Sequence, residues 1–141
     1  MKAIMPIVDD DAVIREILVN AKTIAVVGLS DKPWRDSYTV AEFLKGQGYL
    51  IVPVNPMIQS VFGLPAVSSL EGISRKVDIV NVFRRPEHIP AIVEAAIAIH
   101  ARTVWMQSGI IHEPAARRAS NAGLNVVMDR CIRVAHTLLV P

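Results

Sequence analysis

Short apolar runs rich in β-branched residues alternate along this chain with segments of helical periodicity, and this alternation restricts the possible folds more than any other feature. The first run, Thr23–Gly28, is apolar at consecutive positions and ends in glycine, which indicates a strand buried on both faces. Similar runs occupy Leu50–Val54, Asp78–Phe83, Thr103–Met106 and Asn125–Met128. Such strands, joined through helices, form a parallel sheet covered on both sides. The sequence therefore predicts an α/β three-layer sandwich with a mainly parallel sheet of five or six strands.

Helical patterns fill the intervals between these runs. Acidic residues 9–11 suit a first helical turn and precede apolar residues at helical spacing, so a helix over about 9–20 is expected to pack on the sheet. The stretch 56–75 is rich in turn residues and is expected to be a loop with a short strand and a helical turn around Ser69–Gly72. Asp36 or Ser37 is expected to cap the helix after the first strand. The other helices are predicted to begin at Pro86, at Glu113 and at Ile132.

The bulk properties favour one cytoplasmic domain spanning residues 1–141. A chain of 141 residues with 52% hydrophobic side chains can bury one core, and its apolar stretches are shorter than the roughly 18 residues of a membrane-spanning helix. The net charge of +2 and the few aromatic residues do not favour nucleic acid as a partner. A single cysteine, Cys131, and an N-terminus without a secretory pattern favour the cytoplasm.

The loop after the first strand has the composition of a phosphate site. Between Gly28 and Ser37 it carries Ser30, Lys32 and Arg35 and leads into a helix. Amides at a helix N-terminus donate to anions, and the two cations add charge. Ligands of open parallel sheets bind outside the carboxyl ends of the strands. We therefore predict a phosphate site here, the alternative being that the two cations are solvated loop charges.

The second strand ends without the acidic residue typical of NAD sites. Asn55 and Pro56 stand where such sites usually have an Asp or Glu for the ribose hydroxyls. The G-x-G-x-x-G pattern is also absent, because Ser30 and Pro33 occupy its later glycine positions. The sequence therefore disfavours NAD.

Two further strand ends add candidates for ligand binding. Phe83, Arg84 and Arg85 end the third long strand, so two guanidinium groups are expected at the same edge of the sheet, unless one is structural and the other solvated. Gln107 and Gly109 follow the fourth strand, where Gln107 can hydrogen-bond a ligand and Gly109 can admit it close to the backbone. The alternative for Gly109 is a simple turn.

Cys131 and His136 follow the fifth strand and raise the question of nucleophilic catalysis. That chemistry requires a base within hydrogen-bonding reach of the thiol, and a buried, inert thiol is the more common case. The four histidines lack metal-ligand spacing, and one cysteine cannot form a thiolate cluster within the chain. No metal site and no catalytic residue are predicted.

Five motifs at the predicted strand ends resemble a known family. They are Val27-Gly28-Leu29-Ser30-x-Lys32-Pro33-x-Arg35-x-Ser37, Val52-Pro53-Val54-Asn55-Pro56, Val82-Phe83-Arg84-Arg85-Pro86, Trp105-x-Gln107-x-Gly109 and Val127-Met128-Asp129-Arg130-Cys131. In this order they resemble the small stand-alone CoA-binding proteins, whose Rossmann-like domain is similar to the N-terminal domain of the succinyl-CoA synthetase α subunit. The resemblance covers about residues 15–137.

This resemblance implies coenzyme A or an acyl-CoA as the ligand. It implies that the loop from Gly28 and Leu29 onward holds the phosphates, while the strand ends border the nucleotide and the pantetheine arm. Relatives often have a basic residue after the Asn-Pro pair, whereas this chain has Met57. The implied contacts are Ser30, Lys32, Arg35 and Ser37 for the phosphates, and Asn55, Pro56, Phe83, Arg84, Arg85, Gln107 and Gly109 along the crevice.

The same resemblance implies binding more strongly than chemistry. The synthetase carries its catalytic histidine on a further domain, so ligase activity is not expected here. We expect a non-catalytic binding or regulatory module, as a homodimer or docked to a larger enzyme. The alternatives are an NAD(P)-dependent oxidoreductase or an acyl-CoA-handling enzyme using Cys131 or His136. A mixed disulfide between Cys131 and the CoA thiol is a further hypothesis if the pantetheine arm reaches it.

Overall fold

The computed structural model describes residues 7–141, and the first six residues of the predicted domain lie outside this range. Within it, the helices are α1 (Asp11–Asn20), α2 (Asp36–Gly46), α3 (Ile89–Ala98), α4 (Glu113–Asn121) and α5 (Ile132–Leu139). The strands are β1 (Thr23–Val27), β2 (Leu50–Val54), β3 (Ser60–Val61), β4 (Leu64–Pro65), β5 (Ile79–Val82), β6 (Thr103–Met106) and β7 (Asn125–Val127). Short 3-10 helices cover Leu70–Gly72 and Pro86–His88.

The main sheet has five parallel strands in the order β2-β1-β5-β6-β7. The short strands β3 and β4 pair with each other in antiparallel fashion within the stretch predicted as a loop. The prediction of an α/β sandwich around a mainly parallel sheet is confirmed, with the lower of the two expected strand numbers.

Helices cover both faces of the sheet and enclose two hydrophobic cores. One core lies between the sheet and α3 and α4, and it contains Val80, Val82 and Val104. The other lies under α1, α2 and α5 and contains Val26 and Trp105. Successive strand residues point to opposite faces of the sheet, and helices cover both faces. The residues of β1, β5 and β6 are therefore buried throughout, as expected from their largely apolar sequences.

The opening helix is an integral part of the second core. Asp10 caps α1 by accepting a 2.8 Å hydrogen bond from the Ala12 amide, as the acidic run predicted. Leu18 is fully buried, and its carbonyl accepts a hydrogen bond from the Tyr49 hydroxyl. No helix among residues 7–141 is long and apolar enough to span a bilayer.

The helix after β5 begins later than predicted. Pro86 opens a 3-10 helix in which the His88 amide donates to the Arg85 carbonyl at 3.0 Å, and α3 starts only at Ile89. Pro90 has no amide hydrogen and cannot donate to the carbonyl four residues earlier, so the preceding turn closes with the tighter pattern. The predicted start at Pro86 is therefore wrong for the α-helix itself.

We predict that Leu18→Ala lowers the free energy of unfolding by roughly 2–5 kcal/mol, because it leaves a cavity between α1 and the sheet. The neighbouring Val19 is about half exposed, so Val19→Ala should change stability by no more than about 0.5 kcal/mol. Urea denaturation followed by circular dichroism measures both. Equal effects of the two substitutions would contradict the placement of α1 in the core.

Candidate functional site

A crevice forms at the carboxyl edge of the sheet because the chain leaves β1 and β5 toward opposite faces. After β1 the chain enters α2 on one face, and after β5 it enters α3 on the other. These two strands are neighbours in the sheet, so the point between them is where the strand order reverses. Ligands of open α/β sheets bind at such a point.

Gly28 allows the backbones of the two loops to meet in this crevice. Its φ is +87°, and a Cβ atom there would clash with the carbonyl oxygen of Phe83 and lie 3.0 Å from Cδ of Arg84. The Gly28 amide also donates to the Val54 carbonyl at 2.9 Å, and the Phe83 amide to the Val27 carbonyl at 2.8 Å. The ends of β1, β2 and β5 are thus held together around a residue that cannot carry a side chain.

A cleft of about 1000 Å³ lies beside Gly28, and we call it the loop cleft. It brings together seven of the predicted site residues, from the ends of β1, β2 and β5 and from the start of α2. These are Gly28, Ser30, Lys32, Arg35, Ser37, Asn55 and Phe83.

The start of α2 opens into the loop cleft without a side-chain cap. The prediction that Asp36 or Ser37 caps it is wrong. The N-cap residue is Arg35, and no side chain among the described residues forms a capping hydrogen bond there. Instead the Ser37 hydroxyl accepts a 3.0 Å hydrogen bond from the Ser30 amide, and the Ser30 hydroxyl accepts one from the Lys32 amide, also at 3.0 Å. Each hydroxyl keeps its own hydrogen for donation. The loop therefore presents amide and hydroxyl donors to the cleft.

The charged side chains of the loop cleft are balanced in sign. Lys32 and Arg35 line it together with Asp31 and Asp36. Lys32 forms a long, exposed ion pair with Asp31, with 3.8 Å between Nζ and Oδ1. Arg35 has no carboxylate within 4.0 Å in the part of the chain that the structure describes. Exposed pairs contribute little, so an anion would be attracted chiefly by the donors at the start of α2 and by the free Arg35 guanidinium.

Asn55 and Leu29 shape the loop cleft through the backbone. Nδ2 of Asn55 donates to the Leu29 carbonyl at 2.9 Å, and Oδ1 accepts from the Met57 amide at 2.9 Å. Both ends of this amide are therefore engaged in fixing the loops after β1 and β2. Leu29 itself is fully buried and contributes its carbonyl rather than its side chain.

Arg84 and Pro56 line a different cleft on the opposite side of the rim, which we call the arginine cleft. Its volume is about 300 Å³, and it lies among the ends of β1 and β2, the Leu70–Gly72 turn and α3. Phe83 and Arg84 follow the end of β5 at a bend in the chain, and Phe83 lines the loop cleft whereas Arg84 lines the arginine cleft. The structure thus does not bring Arg84 together with Lys32 and Arg35. Arg85 is exposed and lines neither cleft.

A third cleft of about 690 Å³, the helix cleft, continues from the loop cleft between α2 and α5. The two clefts share Phe83 and Asp36. Gln107 lines the helix cleft although only 5% of its surface is exposed, and its Oε1 accepts a 3.0 Å hydrogen bond from the Ile132 amide at the start of α5. Gly109 has a φ of +81° and donates to Asp129 at 2.7 Å, which is the geometry of a turn; it lines none of the three clefts.

Cys131 and His136 lie in different surroundings. Cys131 lines the helix cleft, whereas His136 is buried against the rings of Phe43 and Tyr49, with ring centroids 5.5 and 5.7 Å away. Burial lowers the pKa of His136. Among the described residues no hydrogen bond connects its ring to the thiol. The arrangement does not give Cys131 the histidine base that nucleophilic catalysis would require.

The sequence reasoning missed three apolar residues of the loop cleft. Trp34 and Met57 are 75% and 86% exposed, and with Ile58 they line its walls. Large apolar side chains in such exposed positions are typical of binding surfaces. These residues follow β1 and β2 at the carboxyl edge of the sheet, and this position in the sequence could have identified them as candidates.

The fold and the crevice together define a Rossmann-like α/β protein with a cleft lined by hydrogen-bond donors at its switch point. Comparison of the sequence with protein families narrows this class. Residues 22–137 match the family described as CoA binding domain, and the chain belongs to this family. The matched range contains every residue that lines the three clefts except Leu138.

Similar proteins come from bacteria and archaea. Bacillus subtilis (strain 168) YneT, itself described as uncharacterised, is 46% identical over 127 residues, which cover 90% of this chain and 94% of YneT. A solved Thermus thermophilus protein, cell-free ID.343, is 40% identical, with a TM-score of 0.89 and coverage of 93% of this chain and 99% of that chain. A hypothetical protein from Pyrococcus horikoshii OT3 is 37% identical, with a TM-score of 0.92 and complete coverage of both chains, 100% each.

We predict that Gly28→Ala destabilises the protein more than Gly48→Ala. Both glycines have positive φ, but a Cβ at Gly48 would meet nothing within 4 Å. The Gly48 substitution should cost about 1–2 kcal/mol of backbone strain, and the Gly28 substitution at least about 1 kcal/mol more, because it forces β1 and β5 apart. Thermal and urea unfolding measure the difference. Equal losses would show that the close approach at Phe83 is unimportant.

The depressed pKa of His136 predicts a loss of stability in mild acid. The folded protein favours the neutral ring, so the unfolded chain binds more protons as the pH falls below about 6.5, the ordinary histidine value. The contribution of the neutral His136 ring to the free energy of unfolding is therefore complete above that pH and declines below it. His136→Phe should flatten the fall in unfolding free energy between pH 7 and pH 5, which urea denaturation at several pH values measures. A fall as steep as in the wild type would contradict this assignment.

Proposed function

We propose that this protein binds coenzyme A or an acyl-CoA across the carboxyl ends of its strands and acts as a binding or regulatory module without a reaction of its own. The loop cleft would hold the diphosphate, and the helix cleft would receive the pantetheine arm. Membership of the CoA binding domain family supports the choice of ligand.

The observation that carries the proposal is the uncapped start of α2 inside the loop cleft. Helix amides without a capping side chain, two serine hydroxyls with hydrogens to donate and the unpaired Arg35 all border one space. A diphosphate supplies acceptors for all of these donors. A neutral ligand would leave the guanidinium and the helix N-terminus without a complementary charge.

The continuity of the two clefts supports the proposed path of the arm. Phe83 and Asp36 border both clefts, so a chain leaving the diphosphate can pass them into the space between α2 and α5. Val40, Ile110 and Leu138 line that space and suit the methyl and methylene groups of pantetheine, while Gln107 offers a side-chain amide.

The end of β2 supports CoA over NAD. Asn55 occupies the position after the strand, and its side-chain amide is engaged on both sides by the backbone. An asparagine side chain has no carboxylate, which is the group with which NAD sites hold the ribose hydroxyls. Calorimetric titration with CoA and with NAD tests this: we expect CoA to bind more tightly, and tighter binding of NAD would reject the proposal.

We predict that Arg35→Gln weakens CoA about tenfold, because it removes a charge-assisted contact to phosphate. Lys32→Gln should have a smaller effect, because Lys32 already has Asp31 beside it. Lys45→Gln, an exposed change in the last turn of α2 away from the cleft, is the matched control and should leave affinity unchanged. Calorimetry at two salt concentrations measures all three, and an unaltered affinity of Arg35→Gln would remove that residue from the site.

The exposure of Cys131 to the helix cleft favours one alternative, an enzyme that acts on the acyl group through this thiol. It predicts that acyl-CoA is consumed by the wild-type protein and that Cys131→Ser abolishes turnover with folding intact. Acyl-CoA that stays intact during prolonged incubation, or turnover that survives the substitution, would reject the enzyme and leave the binding module.

A further inference from the structure

The loop cleft and the arginine cleft lie on either side of one rim, formed by the carboxyl ends of β1, β2 and β5. Each strand end contributes adjacent residues to the two clefts, one residue to each side. The pairs, with the loop-cleft residue first, are Gly28 and Val27, Asn55 and Pro56, and Phe83 and Arg84. A ligand lying across the rim would therefore touch both clefts at once.

Arg84 is a partly buried cation without a partner. Its side chain passes close over Gly28 and lines the arginine cleft together with the apolar Val27 and Val54. Within residues 7–141 it has no carboxylate within 4.0 Å and no side-chain hydrogen bond, although the exposed Glu71 lines the same cleft. A guanidinium that is partly removed from water and has no carboxylate partner is well placed to bind an anion.

The surroundings of Arg84 suit a phosphate monoester. Ser68 and Ser69 add hydroxyl donors to the same cleft, and His88 adds a ring that can donate a hydrogen bond. With a volume of about 300 Å³, the cleft is much smaller than the loop cleft and has ample room for a phosphate group.

We propose that the arginine cleft binds the phosphate on the ribose of coenzyme A, with Arg84 as its principal cation. This inference rests on the proposed function, because it requires the diphosphate of the same molecule in the loop cleft. A ligand with all its phosphates in one chain would fill the loop cleft and leave Arg84 unpaired. A ligand with a second, separate phosphate across its ribose satisfies both sides of the rim.

The test compares CoA with dephospho-CoA, which lacks only the ribose phosphate, in calorimetric titrations of three proteins. The wild type should bind CoA at least about tenfold more tightly than dephospho-CoA. Arg84→Gln should lose most of this preference by weakening CoA while dephospho-CoA stays within about twofold. Arg85→Gln removes the same charge from the adjacent exposed residue and should keep the preference.

Two results would overturn the inference: equal affinity of the wild type for both ligands, or an equal weakening of both ligands by Arg84→Gln. Arg84→Lys provides a second variant that keeps a charge over Gly28 but loses the planar fork, so it should retain part of the preference. Thermal unfolding of each variant confirms that it is folded. Failure of the wild type to bind either ligand would reject the proposed function itself, a result distinct from binding without discrimination.

Discussion

The contact between the backbones of Gly28 and Phe83 is the constraint on which the rest of the site depends. It draws the ends of β1 and β5 together where the chain departs toward opposite faces of the sheet. The loop cleft and the arginine cleft lie on the two sides of this contact, and a side chain at position 28 would disturb both. The fold thus prepares a rim before any ligand arrives, and the rim rests on backbone hydrogen bonds among β1, β2 and β5.

Under the proposed function, anion recognition in the loop cleft depends on oriented donors rather than on net charge. Asp31 and Asp36 balance Lys32 and Arg35, so counting charges would give no attraction at close range. The amides at the start of α2 have a fixed direction and lose no freedom when a phosphate replaces water. Such a site discriminates by geometry, since an anion must reach these donors without approaching the two carboxylates.

The sequence was sufficient to predict the fold and the place of the crevice, but not the face to which each side chain points. Buried strands and glycine-ended turns are local patterns, so β1, β2 and β6 lie where their apolar runs predicted. Arg84 was grouped with Lys32 because both follow strands at one edge, and only the bend of the chain after β5, which the sequence does not reveal, directs them to different clefts. Ser37 serves Ser30 instead of its own helix because tertiary structure brings a loop amide to its hydroxyl.

The position of α5 places Cys131 and His136 in different surroundings. The first turn of α5 is tied to Gln107 through the Ile132 amide, which places Cys131 beside the helix cleft. His136 lies one turn further on, where the aromatic rings of α2 and its following loop bury it and favour its neutral form. Under the proposed function Cys131 lines the path of the pantetheine arm, and no hydrogen bond from His136 to this thiol is present among the described residues. The packing of α5 against the sheet therefore shapes the helix cleft.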